Sequence, residues 1–159
     1  MSTSTASAEA ASSASGEVWI FLFTDIEGST LRWELAPEAM RIALARHDAI
    51  VRSAINEAGG RVFKSVGDAF CAAFGDPTRA LAAALAAQRA IRADGFAEVG
   101  GLKVRIALDA GAVEARDGDY FGRPLNRVAR LLGAGHGGQI LVSESTADLA
   151  RGAMPAIRR

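Results

Sequence analysis

Residues 18–24 form an unbroken run of hydrophobic or β-branched side chains. Because successive side chains of a strand point to opposite faces, this run predicts a central strand that is covered on both sides. The strand is expected to end at Asp25, after which Gly28, Ser29 and Thr30 turn the chain toward a helix. A carboxylate at the rim of a buried strand, followed by backbone N–H groups of small residues, suits a metal-bound phosphate chain.

Two later stretches have the apolar spacing of helices. The first begins at Pro37, since proline is tolerated in the first helical turn, and Gly59 and Gly60 end it. Its apolar stripe consists of Met40, Leu44, His47, Val51 and Ile55. The second helix runs over an alanine- and leucine-rich face to about Ala93, with Asp76 predicted as its N-cap.

Alternating segments predict the other strands. Residues 61–65 and 69–74 indicate a hairpin around 66–68. Residues 104–111 alternate as a strand should, and 112–115 are expected to turn and pair back on them.

The C-terminal part adds a turn, a helix, a strand and a last helix. The turn is 117–119, and the third helix begins around Gly122 and runs to Leu132. Residues 139–142 predict a late strand, and Ser143 is expected to cap a short helix. The resulting order predicts an α+β fold with a ferredoxin-like βαββαβ core and extra C-terminal βα elements. In that core the helices are expected to pack on one face of an antiparallel or mixed sheet.

Composition narrows the class of protein. The chain has 159 residues, half of them hydrophobic, and its formal net charge is zero. This length fits one domain, and the charge argues against a strongly basic nucleic-acid surface. The single cysteine, Cys71, is expected to be buried and favours a reducing cytoplasm, and no segment predicts a membrane span. Residues 1–16 predict a disordered tail rich in Ala and Ser, which leaves 17–159 as the domain.

A second acidic residue, Asp68, lies between the two strands of the predicted hairpin. Carboxylate oxygens are the ligands that hard divalent cations prefer, so Asp25 and Asp68 are interpreted as holding two metals for phosphoryl chemistry. Each also has a simpler interpretation, since Asp25 could be a turn residue or helix cap and Gly67 with Asp68 could be only a hairpin turn.

Three motifs together identify a family. Residues 23–30 read FTDIEGST, residues 64–68 read KSVGD, and residues 119–130 read DYFGRPLNRVAR. In this order and at this spacing the chain closely resembles the class III adenylate/guanylate cyclase catalytic domain, from about residue 18 to about residue 149, including GGQILVS at 137–143. Such a nucleotidyl cyclase domain normally continues into a strand pair that bears a phosphate-contacting basic residue, and that pair is expected to be absent here.

The resemblance implies a role for each matching residue. Asp25 and Asp68 correspond to the metal-binding aspartates, with the backbone carbonyl of Ile26 as a further ligand. Lys64 and Asp119 correspond to the adenine-contacting pair. The last two positions are on the third helix: Asn126 corresponds to the ribose-orienting asparagine and Arg130 to the arginine that stabilises the reacting phosphoryl group.

The resemblance also implies an assembly and a substrate. The family shares its active site across a head-to-tail dimer, so a homodimer using Mg²⁺ or Mn²⁺ is expected. Lysine donates and aspartate accepts, which complements the N1 acceptor and amino donor of adenine, whereas guanine reverses that polarity. The sequence therefore favours adenylate cyclase, which converts ATP to 3′,5′-cyclic AMP and pyrophosphate.

Several alternatives stay open at this point. Lys64 could be a solvated hairpin charge, Asp119 a turn residue, and Arg130 one of three arginines on a solvated helix face. A catalytically silent nucleotide-binding or dimerisation module is the second function considered. A nucleic-acid-binding ferredoxin-like domain is the third, although the chain lacks the basic flanks that such domains carry.

Overall fold

The computed structural model describes residues 17–151, so the predicted tail at 1–16 and the segment 152–159 lie outside the described residues. The strands of the described part are β1 (Glu17–Ile26), β2 (Arg61–Val66), β3 (Ala69–Phe74), β4 (Val104–Arg116), β5 (Asp119–Phe121) and β6 (Ile140–Val142). Its α-helices are α1 (Ser29–Leu35), α2 (Pro37–Glu57), α3 (Pro77–Asp94), α4 (Arg123–Gly133) and α5 (Glu144–Ala150), and a 3₁₀ turn, Ala97–Val99, precedes β4.

The strands form one sheet in the order β2-β3-β1-β4-β5, and β6 pairs with β4. Neighbouring pairs along the main order are antiparallel, while β6 is parallel to β4. With β1 central and α2 and α3 as connections, this is the order of a ferredoxin-like βαββαβ core. The predicted α+β fold class is therefore confirmed.

One face of the sheet, called here the first face, is covered by α2 and α3. Met40, Val51 and Ile55 of α2 are buried in the same cluster as Leu22 of β1 and Phe70 of β3. Full burial of a side chain of this size stabilises the fold by about 1.5–3 kcal/mol. This face accounts for the larger of the two hydrophobic clusters in the described part of the chain.

The opposite face, called here the second face, is covered in part by α4. Phe21 of β1 and Ala107 of β4 share a buried cluster with Val128 and Leu132 of that helix. The core helices α2 and α3 therefore share one face, as predicted, and α4, one of the C-terminal elements, covers the other. Trp19, Phe21 and Phe23 alternate with apolar even-numbered residues in β1, so the strand needs cover on both sides.

Strand β4 does not end at Gly111, as the sequence had indicated, but continues to Arg116. The prediction that 112–115 pair back on 104–111 is wrong, because these residues pair with β1 and then with β5. Glycine is needed at 111 for packing, since a Cβ there would lie 2.3 Å from Cγ of Pro124 on α4. Its small size admits the helix and does not mark a turn.

The predicted helix caps are confirmed. The Asp76 side chain accepts a hydrogen bond from the Thr78 backbone N–H at 2.8 Å, and Ser143 accepts one from Thr146 at 3.3 Å. Each satisfies one of the free donors at a helix start. In the described range, every helix is too short or too polar to cross a bilayer.

Candidate active site

Asp25 and Asp68 meet at one end of the sheet, at a site called here the acidic rim, formed by Asp25, Ile26 and Asp68. Asp25 is the penultimate residue of β1, and Asp68 follows Gly67 in the turn between β2 and β3. An Oδ1 atom of Asp68 accepts a hydrogen bond from the Ile26 backbone N–H at 3.4 Å. The hairpin therefore carries its carboxylate to the residue next to Asp25.

Arg105 of β4 faces the acidic rim and was not singled out from the sequence. It donates from Nε and Nη2 to the two carboxylate oxygens of Asp25 at 2.7 and 2.5 Å. The hydrogen bond to Asp25, followed by the charges of Asp25, Glu27 and Asp68, raises the pKa of Arg105. Its location depends on the β1–β4 register, which pairs Asp25 with Arg105 and is not visible in the sequence.

The acidic rim offers the donor chemistry of a hard divalent cation. Asp25 and Asp68 provide carboxylate oxygens, and the predicted third ligand is the backbone carbonyl of Ile26, the residue whose N–H contacts Asp68. Within 17–151, however, His, Cys, Asp and Glu side chains do not gather in a group of three or more that could hold a metal. A cation bound at the rim would therefore complete its coordination shell with main-chain, substrate or water oxygens.

The turn after β1 is held rigidly by Arg32. Gly28 has φ of +69°, a conformation that glycine adopts without strain, and Ser29 and Thr30 then begin α1. The Arg32 guanidinium donates to the carbonyl oxygens of Gly101 at 2.9 Å and Glu27 at 3.2 Å. The small-residue turn predicted from the sequence is thus fixed next to the acidic rim.

A second group of predicted residues lines a cleft of about 430 Å³ on the second face, called here the base cleft. Lys64 Nζ lies 3.4 Å from Asp119 Oδ2, and Asn126 of α4 lines the same space. The remaining walls are largely aromatic and include Phe23, Phe63, Tyr120 and Phe121, together with Cys71. The cleft therefore combines flat apolar walls with one donor–acceptor pair.

A β-bulge places Lys64 in this cleft. The β2–β3 register shifts between Val62 and Lys64, so Phe63 and Lys64 both line the base cleft although they are consecutive. Across from them, Cys71 is half-buried rather than buried as predicted, and its burial raises the pKa of the thiol to about 11. No feature of the sequence indicates the bulge.

Helix α4 carries the last two predicted residues. Asn126 and Arg130 are both exposed and, being four positions apart, lie on the same side of the helix. Arg127 differs from them, because its guanidinium donates from Nε to buried Asp109 at 3.0 Å and from Nη2 to the Ala110 carbonyl at 3.1 Å. Sequence reasoning treated Arg127 as a solvated neighbour and missed this attachment of α4 to β4.

The predicted residues thus form two groups within one chain. Lys64, Asp119 and Asn126 line the base cleft, whereas Asp25 and Asp68 form the acidic rim and are not among the cleft residues. Asp25 is on the second face, as the base cleft is, since it follows Phe23 at the strand period of two. One described chain thus presents two separate sets of chemical groups, an acidic one and one that lines the cleft.

Relatives were found by sequence and by structure. An uncharacterized protein of Mycobacterium tuberculosis is 41% identical over 137 residues, covering 85% of this chain and 46% of that protein. The adenylate cyclase of Lachancea kluyveri is 35% identical over 147 residues, covering 77% of this chain and 8% of that protein. The chain therefore spans less than half the length of these curated relatives.

Solved structures agree with the sequence matches. Adenylate cyclase from Trypanosoma brucei, in a monomeric state, has a TM-score of 0.79 at 28% identity and covers 89% of this chain and 78% of that one. An adenylate/guanylate cyclase/hydrolase from Silicibacter pomeroyi has a TM-score of 0.77 at 26% identity, over 86% and 81% of the two chains. Residues 11–156 match the family described as the adenylate and guanylate cyclase catalytic domain, and the chain belongs to that family.

Proposed function

We propose that this chain is the catalytic domain of an adenylate cyclase, which converts ATP to 3′,5′-cyclic AMP and pyrophosphate. The observation that supports it best is the Lys64–Asp119 pair in an aromatic-walled cleft shared with Asn126. Lysine donates to N1 of adenine, and aspartate accepts from the amino group. Guanine presents a carbonyl and an N–H at these positions, which opposes both contacts.

The reaction is an in-line attack of the ribose 3′-oxygen on the α-phosphorus. The 3′-hydroxyl releases its proton to water and its oxygen bonds to the α-phosphorus, which closes the ring. The bond between the α-phosphorus and the oxygen that bridges to the β-phosphorus breaks, and pyrophosphate leaves. Asn126 orients the ribose, and the Arg130 guanidinium stabilises the negative charge that develops on the phosphoryl oxygens. The backbone N–H groups of Gly28, Ser29 and Thr30 are proposed to contact the phosphate chain.

Asp25, Asp68 and the Ile26 carbonyl are the groups that would hold two Mg²⁺ or Mn²⁺ ions. When bound, such ions lower the pKa of the attacking hydroxyl and neutralise the triphosphate. Arg105 orients the Asp25 carboxylate through both of its oxygens and brings a fixed positive charge to the rim. That charge is suited to phosphate oxygens as well as to Asp25.

We propose further that the working site is built from two chains. The acidic rim of one chain would face the base cleft of its partner, since the cleft of a single chain is not lined by Asp25 or Asp68. A head-to-tail homodimer related by a two-fold axis then carries two equivalent sites. The curated relatives extend well beyond the region matched, and this chain covers less than half of their length.

The function is tested by measuring cyclic AMP formed from ATP with Mn²⁺. Asp25→Asn and Asp68→Asn are each expected to abolish turnover while leaving the thermal unfolding midpoint near that of the wild type. Glu38→Gln is the matched control, because Glu38 is an exposed carboxylate paired only with Arg41 among the contacts described. Full activity of either aspartate variant would refute the metal assignment.

The shared site is tested by mixing inactive variants. Asp25→Asn and Asn126→Ala damage different halves of the site, so a mixed dimer retains one intact site. Random pairing at equal concentrations should restore about a quarter of wild-type activity. Activity that stays at zero in the mixture, while both proteins are folded and dimeric, would contradict the two-chain arrangement.

A catalytically silent nucleotide-binding module is the second candidate. The observation that favours it is that Arg105 donates to both carboxylate oxygens of Asp25. A metal bound there would have to share these oxygens with Arg105 or displace its guanidinium. The assay separates the two functions directly. ATP binding without any cyclic AMP, at protein concentrations where the dimer is formed, would establish the silent module.

The extent and compartment of the domain remain proposals. We assign the catalytic domain to residues 17–159 and place it in a reducing cytoplasm, on the ground that the chain has one cysteine and therefore no internal disulfide. Expression of 17–159 alone tests the first of these, because the fragment should retain the activity of the full chain.

A further inference from the structure

The base cleft depends on a contact between two distant strands. In the sheet order, β2 and β5 lie at opposite ends, yet Lys64 of β2 and Asp119 of β5 are 3.4 Å apart. Strand β4 extends beyond its pairing with β1, and this extension pairs with β5. The two-residue turn between β4 and β5 returns the chain over the second face. Something must therefore fix β5 over β2.

Tyr120 provides the apolar part of this attachment. It is 5% exposed, and its ring centroid lies 4.8 Å from that of Phe63, 5.4 Å from Phe21 and 5.5 Å from Trp19. Edge-on and tilted contacts at these distances are favourable aromatic geometries. The ring seats β5 on the second face, but flat apolar contacts alone leave its position along β2 loosely defined.

Arg61 provides the directional part. Its Nη2 donates to the Tyr120 hydroxyl at 2.8 Å, and its Nη1 donates to the Gly118 carbonyl at 3.3 Å. Its guanidinium also lies 5.2 Å from the centre of the Tyr120 ring. Gly118 and Tyr120 are the two neighbours of Asp119, so one side chain three positions before Lys64 holds Asp119 from both sides.

We infer that Arg61, acting through Tyr120 and Gly118, is a positioning residue that sets the Lys64–Asp119 geometry and thereby the choice of purine. This inference rests on the proposed function. Lys64 and Asp119 are 50% and 29% exposed, and an exposed ion pair does not define its own geometry. Discrimination between adenine and guanine requires both groups to be fixed at once, because the two bases differ only in donor–acceptor polarity there.

Arg61 does not line the cleft, so its effect is distinguishable from direct binding. Tyr120→Phe removes only the hydroxyl and keeps the aromatic packing, while Arg61→Gln removes the forked donor from an exposed position. Arg52→Gln is the matched control, since Arg52 is also exposed and its guanidinium lies 4.9 Å from the Phe70 ring, on the first face. Neither Arg61 nor Arg52 is buried, so no large change in thermal stability is expected.

The experiment measures kcat and KM for ATP and for GTP, together with the affinity for fluorescent analogues of both nucleotides. Arg61→Gln and Tyr120→Phe should each raise KM for ATP about fivefold and lower the ATP-to-GTP ratio of kcat/KM by a similar factor, with kcat for ATP within about twofold. The double variant should be no worse than Arg61→Gln alone, because the Tyr120 hydroxyl has already lost its Arg61 donor in that variant. Arg52→Gln should match the wild type.

An unchanged ATP-to-GTP ratio in both variants would overturn the inference, as would an equal effect of Arg52→Gln. A loss confined to kcat would also overturn it, because a positioning role for the base requires a change in KM. If the wild type binds ATP analogues without turnover, the proposed enzymatic function fails and the ratio of analogue affinities decides the inference alone. If the wild type binds neither analogue, both the function and the inference are rejected.

Discussion

Replacing Gly111 with alanine tests how helix α4 is positioned. The added Cβ would lie 2.3 Å from Cγ of Pro124, which is 1.1 Å short of the 3.4 Å where ordinary contacts begin, and 2.9 Å from Nη2 of Arg127. The proline ring is rigid, so α4 must move away from β4 by about 1 Å. Overpacking of this kind costs about 1–3 kcal/mol, equivalent to a fall in Tm of about 3–10 °C for a chain of this size.

The same displacement should reduce catalysis more than stability. Asn126 lies two residues after Pro124, and a misplacement of about 1 Å in a positioning group lowers a rate by about 100-fold. Differential scanning fluorimetry and a cyclic AMP assay on the same preparation measure both effects. Gly133→Ala is the control within the same helix, because a Cβ there meets no atom within 4 Å.

A Gly111→Ala variant with wild-type Tm and wild-type activity would refute this reasoning. It would mean that α4 does not rest on the β4 backbone at this point, and the assignment of Gly111 as a packing residue would be wrong. A lowered Tm with unchanged kcat would keep the packing contact but reject the placement of Asn126 by it.

Three further predictions concern separate parts of the molecule. Arg46 lowers the pKa of Asp94 and Glu98, mainly through side-chain hydrogen bonds. The stabilisation of the fold by these ion pairs is therefore complete above about pH 5 and is lost as the pH falls. In urea unfolding, Arg46→Gln should be less stable than the wild type at pH 7, and the two proteins should converge in acid. The pKa of Cys71 is raised to about 11, so its thiol should react with iodoacetamide at pH 8 more slowly in the folded than in the unfolded protein. ATP should slow the reaction of the folded protein further. Equal rates for the folded and the unfolded protein would contradict the burial of Cys71. Lys64→Glu should lower kcat/KM for ATP by at least about tenfold, because it places a second carboxylate beside Asp119, and an unaltered value would reject the base contact.

Local features of the fold were predictable from the sequence where a residue type has one dominant structural role at its position. The two-sided strand β1, the Asp76 and Ser143 caps and the Pro37 start of α2 are all of this kind. Gly111 shows the limit of such reasoning. A glycine in a strand pattern marks either a bend or a close approach, and only the location of Pro124 decides between them.

The candidate site was predictable only as far as its motifs extend. Resemblance selected Asp25, Asp68, Lys64 and Asp119, and the structure brings them together as two pairs, although their roles remain predictions. Arg105 was missed because its contact with Asp25 depends on the pairing of β4 with β1. Charged residues in alternating strands are usually solvated, and the sequence contains no information on register that would distinguish this one.

The arrangement of α4 gives the strongest physical argument for a second chain. The helix buries Val128 and Leu132 against the sheet and holds Arg127 on Asp109, so its other side must carry Asn126 and Arg130 into solvent. An arginine that stabilises a phosphoryl group needs that group near it, and the carboxylates suited to a metal-bound phosphate are at the acidic rim of the same face, outside the base cleft. In the proposed head-to-tail dimer each rim would face the other chain's cleft, which is why the mixed-variant experiment is the decisive one for the proposed site.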